Sequence, residues 1–444
     1  MPFSVLGFDR LLSTLNHSIG KMADPRQPSN ATSYSLQDSV LGAFSAFFMQ
    51  SPSFLEYQRH LHSRHGQDNA QSLFRLETIP RVEQIRNILD RLAAGGLSSV
   101  FTSIYQRLDQ QGYLRQFEVI DHHLLVALDG TEYYSSQKVS CPCCSTRTSR
   151  NGAVTYSHKA VLPAIVSPHQ SSVISLPPEF IRPQDGYDKQ DCEQAAAKRW
   201  IGAHAGLFEG RDVILLGDDL YSRLPMCEAA LAQGFSFIFV CLPDSHPVLY
   251  DWIEFNAAKG QVKSIKRKQS AGKETELWQY RYLTDVPLGD VAPDFSVNWC
   301  ELTITRQRDG KVLYHNSWIT PLALNTPQHV IAVVGAGRSR WKTENENHNV
   351  LKTKGYHLEH NFGHGQQHLS SFLLTLNLLA FLFHTVLDWV DERYHLIRKI
   401  RGTRKGFFQD IVALTKYLWF ESWTALIEFM LDDTKPARPI RNTS

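Results

Sequence analysis

The chain has 444 residues, of which 43% are hydrophobic and 20% are charged, so it has the composition of a soluble globular protein and the length for two or three domains. Its net charge of +2 excludes a polycation, so any affinity for nucleic acid must come from local basic patches. The seven cysteines are odd in number and lack the pattern of a disulfide framework. We therefore expect the protein to reside in a reducing cytoplasm. No basic segment precedes an apolar core at the N-terminus, so no signal peptide is expected.

Residues 1–117 predict an N-terminal helical region. A polar segment with two prolines, residues 23–35, has the character of a linker. After it, apolar residues recur at three- and four-residue spacing, and a Gly-Gly pair at 95–96 marks a stop between two helices. We expect a small helical domain of its own, which is a candidate DNA-binding domain.

The pattern changes at residue 118. Residues 118–250 alternate apolar strand-like runs with amphipathic helices, which predicts an α/β core with a partly parallel sheet. Residues 251–330 are aromatic-rich and alternate in polarity, so we expect a β-rich insertion of antiparallel strands. Residues 331–395 return to helices and complete the core, and residues 396–444 form a C-terminal helical tail.

One stretch, residues 369–390, is apolar and nearly long enough to span a membrane. It contains serine, threonine, asparagine, histidine and aspartate side chains, and no partner span occurs elsewhere. We therefore interpret it as the core helix of a large soluble domain, and we expect no membrane association.

Three acidic residues stand out because of their settings. Asp129 and Asp218 end apolar strand-like runs, and Glu344 lies on a predicted helix. Carboxylates at the ends of buried strands are costly unless a positive charge compensates them, and Mg²⁺ prefers such oxygen ligands. Each residue also has an ordinary alternative: a hairpin turn at Asp129, a helix cap at Asp218, and a solvated charged helix around Glu344.

The three segments together resemble a known family. ALDGTEYYSS, GDDLYS and RWKTENENHNVLK occur in the order of the first, second and third acidic motifs of the DDE transposases encoded by bacterial insertion sequences, a class of mobile element. The resemblance covers roughly residues 118–395. It favours Asp218 over the adjacent Asp219, and Glu344 over Glu346. It implies an α/β, RNase H-like mixed sheet with flanking helices, interrupted by a β-rich insertion.

The resemblance also implies a function. Asp129, Asp218 and Glu344 would be catalytic and would hold two Mg²⁺ ions, for which Mn²⁺ can substitute. The partners would be double-stranded DNA, namely the terminal inverted repeats and the target DNA, and a second copy of the chain in a synaptic homodimer. The setting would be the bacterial cytoplasm. Three alternatives stay open: an RNase H-like nuclease without strand transfer, a non-catalytic DNA-binding derivative, and a zinc metallohydrolase.

The basic part of the family signature departs from its usual form. Arg340 and Lys352 would contact DNA phosphates near the scissile bond. However, the signature tyrosine expected three positions before Arg340 is replaced by Gly337, and the lysine expected seven positions after Glu344 is replaced by Leu351. Lys352 comes one position later than the signature requires.

A basic patch within the predicted insertion offers a second contact for DNA. The segment 263–273, KSIKRKQSAGK, carries several positive charges. Neutralising phosphates with such side chains makes binding dependent on salt. The DNA-binding residues predicted here are Lys266, Arg267 and Lys268.

A cysteine cluster predicts a structural zinc site. Cys141 and Cys144 have the C-x-x-C spacing of a zinc knuckle, and His158 follows downstream as a third ligand. Ordinary reduced cysteines in a loop are the alternative. The histidines of HNFGHGQQH are interpreted as part of a structural or DNA-facing loop. Candidates for the fourth ligand are Cys143, His122 and His123.

Overall fold

The computed structural model describes residues 6–27, 34–63, 65–183, 192–272, 274–289, 295–360 and 362–432. The outer ends of the predicted N-terminal and C-terminal regions, residues 1–5 and 433–444, lie outside the described residues.

The strands form two sheets. In chain order they are β1 Leu124–Ala127, β2 Gly130–Ser136, β3 Ser145–Thr148, β4 Val154–Val161, β5 Ala164–Val166, β6 Ile174–Ser175, β7 Glu179–Ile181, β8 Val213–Gly217, β9 Ser236–Val240, β10 Lys263–Ala271, β11 Glu274–Pro287, β12 Ser296–Arg306 and β13 Val312–Thr320. The large sheet has the order β10-β11-β12-β13-β9-β8-β1-β5-β6, and the small sheet contains β2, β4, β3 and β7.

Among the described residues, six helices precede the first strand, three lie between strands, and six follow the last strand. In chain order they are α1 Phe8–Gly20, α2 Leu36–Phe48, α3 Phe54–Leu61, α4 Gly66–Phe74, α5 Val82–Leu89, α6 Ser98–Gln110, α7 Glu193–His204, α8 Leu224–Ala232, α9 Pro247–Ala258, α10 Pro327–Arg338, α11 Asn349–Thr353, α12 Leu369–Val390, α13 Glu392–Arg401, α14 Arg404–Tyr417 and α15 Trp423–Asp432. Short 3₁₀ turns span Ala94–Leu97, Tyr113–Phe117, Ala205–Phe208 and Pro243–Ser245, and a π-helical turn spans Thr343–His348.

The centre of the large sheet is parallel, whereas its two sides are antiparallel. β1 pairs in parallel with β8, and β8 in parallel with β9. β5 and β6 extend the sheet antiparallel on the other side of β1. Every residue of β1 and β8 is buried, as expected for central strands that are covered on both faces. The sheet is therefore mixed, and the fold is α/β as predicted.

The small sheet begins where the chain leaves the large one. β1 ends at Ala127, and β2 starts three residues later at Gly130 in the other sheet. Asp129 lies at this corner, where its carbonyl accepts a hydrogen bond from Leu162 N at 3.0 Å. β1 and β2 do not pair with each other, so the hairpin-turn alternative for Asp129 is wrong.

The predicted β-rich insertion is an extension of the large sheet. β10 to β13 are antiparallel, as expected from their alternating polarity. β13 pairs with β9 through Trp318 and Ile319, so these strands continue the same sheet and share its core. The first residues of the predicted range, 251–258, belong to α9.

The N-terminal helices share a core with the C-terminal ones. The Phe48 ring lies 4.3 Å from His384 and 5.1 Å from Trp423, and Phe8 stacks on Trp423 at 4.9 Å, all between ring centroids. The expectation of a self-contained N-terminal helical domain is therefore wrong, because its apolar faces are covered by α12 and α15.

The apolar segment 369–390 forms α12, which lies at the centre of this helical body. It is the one helix among the described residues that is long and apolar enough to cross a membrane, and 89% of its most apolar window is buried inside the protein. The interpretation of this segment as a core helix is confirmed.

Candidate active site

The fold brings the three predicted acids to one edge of the large sheet. Asp218 directly follows β8, and Asp129 lies two residues beyond the end of β1. Because these neighbouring strands are parallel, their carboxyl ends meet at the same edge, where α/β sheets commonly bind ligands. Glu344 reaches this edge from the π-helical turn that follows α10. Both Asp218 and Glu344 are close enough to Asp129 to raise its pKa.

Asp129 lies in a strongly acidic pocket. Its side chain is 15% exposed, and burial raises its pKa to about 7. Arg340 opposes this shift, whereas the negative charges of Glu193, Glu344 and Asp218 add to it. Three of the four charged groups that act on Asp129 are therefore carboxylates.

Arg340 supplies the positive charge that two of the acids share. Its Nη2 lies 2.7 Å from Glu344 Oε1, and its Nη1 lies 3.7 Å from Asp129 Oδ1. The Glu344 side chain is half exposed. Arg340 thus stands between the first and third acids.

The neighbouring acids have other partners. Asp219 accepts hydrogen bonds from Leu242 N at 2.7 Å and from the Ser245 hydroxyl at 2.5 Å, so it fastens the loop after β9. Glu346 lies near enough to Lys342 to oppose the lowering of its pKa by burial, whereas Glu344 contacts Arg340 and raises the pKa of Asp129. The geometry therefore favours Asp218 over Asp219 and Glu344 over Glu346.

A fourth carboxylate, Glu193, lies at the site and was not predicted from the sequence. It is the first residue of α7, and its Oε1 accepts hydrogen bonds from Gly130 N at 2.9 Å and from the Tyr221 hydroxyl at 2.8 Å. Burial, together with Asp218, raises its pKa. A Cβ atom at Gly130 would lie only 2.3 Å from Glu193 Oε2, so this close approach requires glycine. Glu193 holds the corner that carries Asp129.

The π-helical turn contributes buried polar groups to the same edge. His348 is 8% exposed, and its Nδ1 lies 3.3 Å from Asp129 Oδ2. Burial lowers its pKa to about 4, so the imidazole is neutral at physiological pH. Within the described residues, His348 Nε2 and both polar side-chain atoms of Asn347 are buried without a hydrogen-bond partner. Such groups are costly to bury, and each calls for an explanation such as a catalytic role or an absent water or ion.

Close packing explains why glycine stands at position 337, where the resembled motif has tyrosine. A Cβ atom at this position would lie 2.8 Å from Trp318 Nε1 and 3.0 Å from Ile238 Cγ2. Helix α10 therefore packs directly on β9 and β13 at this point. A tyrosine side chain does not fit where Gly337 lies.

The π-helical turn Thr343–His348 explains why Lys352 comes one position later than the lysine of the resembled motif. Leu351 is completely buried, whereas Lys352 is partly exposed and pairs with Glu359 at 2.9 Å. A π-helical turn inserts one extra residue into the helix, so the eighth residue after Glu344 takes the direction that the seventh has in an α-helix. Lys352 also helps to lower the pKa of His348, which places its charge beside the acidic edge.

The basic patch of the extension lies far from the acids. Lys266, Arg267 and Lys268 are exposed on β10, the outermost strand on its side of the sheet. Six strand spacings of about 4.8 Å separate β10 from β1, roughly 25–30 Å along the sheet. The patch is therefore a separate surface.

The predicted zinc ligands come together, and a fourth residue joins them. Cys141, Cys144 and His158 are joined by His364, and the four ligand atoms all lie within 4.8 Å of one another. This is the one such group of histidine, cysteine and acidic side chains among the described residues. His364 of the HNFGHGQQH loop thus lies beside the predicted zinc ligands, a position that the interpretation of this loop as structural or DNA-facing did not include.

The three candidates for the fourth zinc ligand are excluded by their positions. Cys143 is not a member of the group. The exposed His122 pairs with Glu118 at 3.0 Å, and His123 Nδ1 lies 2.7 Å from Ile120 O. The sequence signal that could have pointed to His364 is only its glycine-flanked loop.

No family model matches the chain, and no curated protein gives a match. Function is therefore inferred from the residues of the site and from the fold that brings them together.

Proposed function

We propose that the chain is a DDE-type DNA transposase that cleaves DNA strands and joins them to target DNA. One observation carries this proposal: Asp129, Asp218 and Glu344, from three distant segments, lie at one edge of the sheet. Arg340 contacts Asp129 and Glu344 there, and Asp218 is close enough to Asp129 to raise its pKa. The ordinary alternatives for each acid do not account for this convergence.

The sheet order supports an RNase H-like core. β1, β5 and β6 form three antiparallel strands, and β8 and β9 follow on the other side of β1, parallel to it. The first two acids then follow the first and fourth strands of this five-strand unit, side by side. The antiparallel strands β10 to β13 enter between the second and third acids, where the resemblance requires an insertion.

The donor set fits hard divalent cations. Asp129, Asp218 and Glu344 offer carboxylate oxygens, which Mg²⁺ and Mn²⁺ prefer. Burial raises the pKa of Asp129 to about 7, Arg340 opposes this rise, and Glu193, Glu344 and Asp218 add to it. The neighbouring Asn347 has buried polar atoms without partners in the described structure. When bound, two Mg²⁺ ions would activate the attacking hydroxyl and stabilise the leaving oxygen.

The remaining residues would orient the site and bind the substrate. Glu193 fixes the backbone at Gly130, next to Asp129, and the neutral His348 is placed to donate Nδ1–H to Asp129. Arg340 would exchange its contact with Glu344 for a DNA phosphate, since charge-assisted contacts of this kind suit guanidinium. Lys352 would contact a second phosphate.

Duplex DNA needs a larger surface than the acidic edge. The exposed Lys266, Arg267 and Lys268 on β10 would hold the flank of the duplex through phosphate contacts, which position DNA without reading its sequence. The substrate would be the terminal inverted repeats, paired in a homodimer, followed by target DNA, in the bacterial cytoplasm.

The test is cleavage and strand transfer with labelled DNA taken from the two ends of the genomic element that carries the reading frame. We expect Asp129→Ala, Asp218→Ala and Glu344→Ala each to abolish both reactions in Mg²⁺ while binding to the same DNA is kept. Asp219→Asn and Glu346→Gln are the matched controls, and they should retain activity.

The outcomes separate the alternatives. Cleavage without joined products would identify a nuclease, and binding without cleavage in the wild type would identify a non-catalytic derivative. Normal cleavage by the three alanine variants would refute the assignment of the acids.

A further inference from the structure

We infer that Cys141, Cys144, His158 and His364 bind one structural Zn²⁺ ion that fastens the segment after the third acid to the sheet that begins beside the first acid. The cluster does not use the acidic edge, so this site is independent of the proposed function. Its fourth ligand, His364, lies 220 residues after Cys144 in the sequence.

The distances between the ligand atoms agree with tetrahedral zinc. Zn–S bonds of about 2.3 Å and Zn–N bonds of about 2.0–2.1 Å require separations of about 3.8 Å for S–S, about 3.5 Å for S–N and about 3.3 Å for N–N. The two sulfurs lie 3.7 Å apart, and His158 Nε2 lies 3.5 Å from each. His364 Nε2 lies 3.3 Å from Cys144 Sγ and 3.1 Å from His158 Nε2.

The S–S separation also excludes a disulfide, which needs about 2.05 Å. Cys141 and Cys144 are therefore both free thiols. Five of the six separations match the tetrahedral values, and the sixth, from Cys141 Sγ to His364 Nε2, is at most 4.8 Å. A tetrahedral site with four protein ligands has no coordination position for a substrate, and closed sites of this type are structural. The cluster therefore does not support the zinc metallohydrolase alternative.

A hydrogen-bonded turn of the backbone positions the two cysteine ligands. Cys144 N donates to Cys141 O at 3.1 Å, and Cys141 N lies 3.4 Å from Cys144 Sγ. This turn directs both sulfurs to one side. Cys144 is 4% exposed and Cys141 is half-buried, so two thiols and two imidazoles share a largely dry pocket.

The histidine ligands come from a rigid strand and an anchored loop. His158 lies on β4 and is 7% exposed, and His364 is 8% exposed. His364 Nδ1 lies 3.0 Å from Gly365 O, so the Nδ1–H donates to this carbonyl and Nε2 is left as the lone-pair ligand. A ring nitrogen of a zinc-bound histidine commonly has such a carbonyl partner.

The position of the cluster gives the ion its role. The loop that carries His364 is held on its other side by Asp90, which accepts hydrogen bonds from Gln366 N and His368 N. Zn²⁺ would complete the anchorage by joining this loop to β4, which pairs with β2 at Gly130, next to Asp129. The ion would thus connect the segments that flank the first and third acids.

The experiment is metal analysis of the purified full chain, with matched variants. We expect about one equivalent of zinc in the wild type, in Cys143→Ser and in His360→Ala, and loss of zinc in Cys144→Ser and His364→Ala. Cys143 and the exposed His360 are the controls, because each neighbours a proposed ligand without belonging to the cluster.

A second measurement keeps the test decisive if a ligand variant folds poorly. Zinc is removed from the wild type with a chelator, and Co²⁺ is added in its place. A four-coordinate site with two thiolates should give strong visible d–d bands and a thiolate charge-transfer band, and the melting temperature should fall without metal and recover with it.

Several outcomes would overturn the inference. These are a wild type that neither contains nor takes up zinc, a cobalt derivative without the tetrahedral bands, or a His364→Ala variant that keeps full zinc while Cys143→Ser loses it. None of these results bears on the acids, and inactive DNA-cleavage assays would leave the metal analysis unchanged.

Discussion

Two glycines in α10 test how tightly this helix packs on the sheet below the acidic edge. At Gly337 an added Cβ would lie 2.8 Å from Trp318 Nε1 and 3.0 Å from Ile238 Cγ2, whereas at Gly335 nothing lies within 4 Å. Trp318 is 1% exposed and Ile238 is also buried, so neither can move aside without disturbing the core.

The magnitude follows from comparing the two positions. Replacing glycine by alanine inside a helix stabilises it by about 0.8–1 kcal/mol, and this gain applies equally to Gly335→Ala and Gly337→Ala. Overpacking a well-filled core costs about 1–3 kcal/mol, and only Gly337→Ala incurs it. We expect Gly335→Ala to raise stability slightly and Gly337→Ala to lie about 1–3 kcal/mol below it.

The assay is chemical and thermal denaturation of the two variants and the wild type under the same conditions. Gly337→Ala should also lower DNA cleavage, because Arg340 follows it by one helical turn and contacts Asp129 and Glu344. Gly337→Tyr, which introduces the residue of the resembled motif, should lower stability more than Gly337→Ala. Equal stability of the two alanine variants would show that α10 does not approach the sheet as closely as described.

Three further predictions follow from the site and its supports. Glu193→Gln keeps an acceptor for Gly130 N and should retain more DNA-cleavage activity than Glu193→Ala; equal loss would mean that the charge matters rather than the hydrogen bond. Although burial opposes the shift, backbone N–H groups from Gln366 to Leu369 lower the pKa of Asp90. A carboxyl whose pKa is depressed on folding stabilises above its unfolded pKa and loses this contribution as pH falls through the folded pKa. Asp90→Asn should therefore lower the melting temperature at pH 7, and the difference from wild type should disappear in acid; a constant difference at all pH values would contradict this. Neutralising the β10 patch should weaken DNA binding and reduce the salt slope by up to about three, with Lys21→Gln as a surface control, and an unchanged slope would exclude the patch from the interface. The substitutions in the patch are Lys266→Gln, Arg267→Gln and Lys268→Gln.

The first two acids could be predicted because their signals are local. An unbroken apolar run predicts a central strand, and the polar residue that ends it must lie at the sheet edge. β1 and β8 have such runs, and both are buried throughout. Glu193 gave no such signal, since an acid in the first turn of a helix is expected from the helix dipole alone.

Long-range pairing could not be predicted in the same way. Alternating polarity predicted the antiparallel strands β10 to β13, but it does not specify what their last strand pairs with, and β13 joins β9 of the main sheet. His364 lies far from Cys141, Cys144 and His158 in sequence, and no spacing rule connects them. Likewise, the apolar faces of the N-terminal helices did not reveal that α12 and α15 would cover them.

The two differences from the resembled basic motif have separate explanations, and both lie in the segment from α10 to α11. A motif defined by sequence spacing assumes a regular α-helix of about 3.6 residues per turn. It also assumes that every position has space for its side chain. Here the helix lies so close to the sheet that Gly337 has no room for a side chain. After the π-helical turn Thr343–His348 the count is shifted by one, and Lys352 therefore takes the direction that the count assigns to Leu351. Under the proposed function, these differences alter the spacing of the motif, while the charges of Arg340 and Lys352 still act on Asp129 and His348.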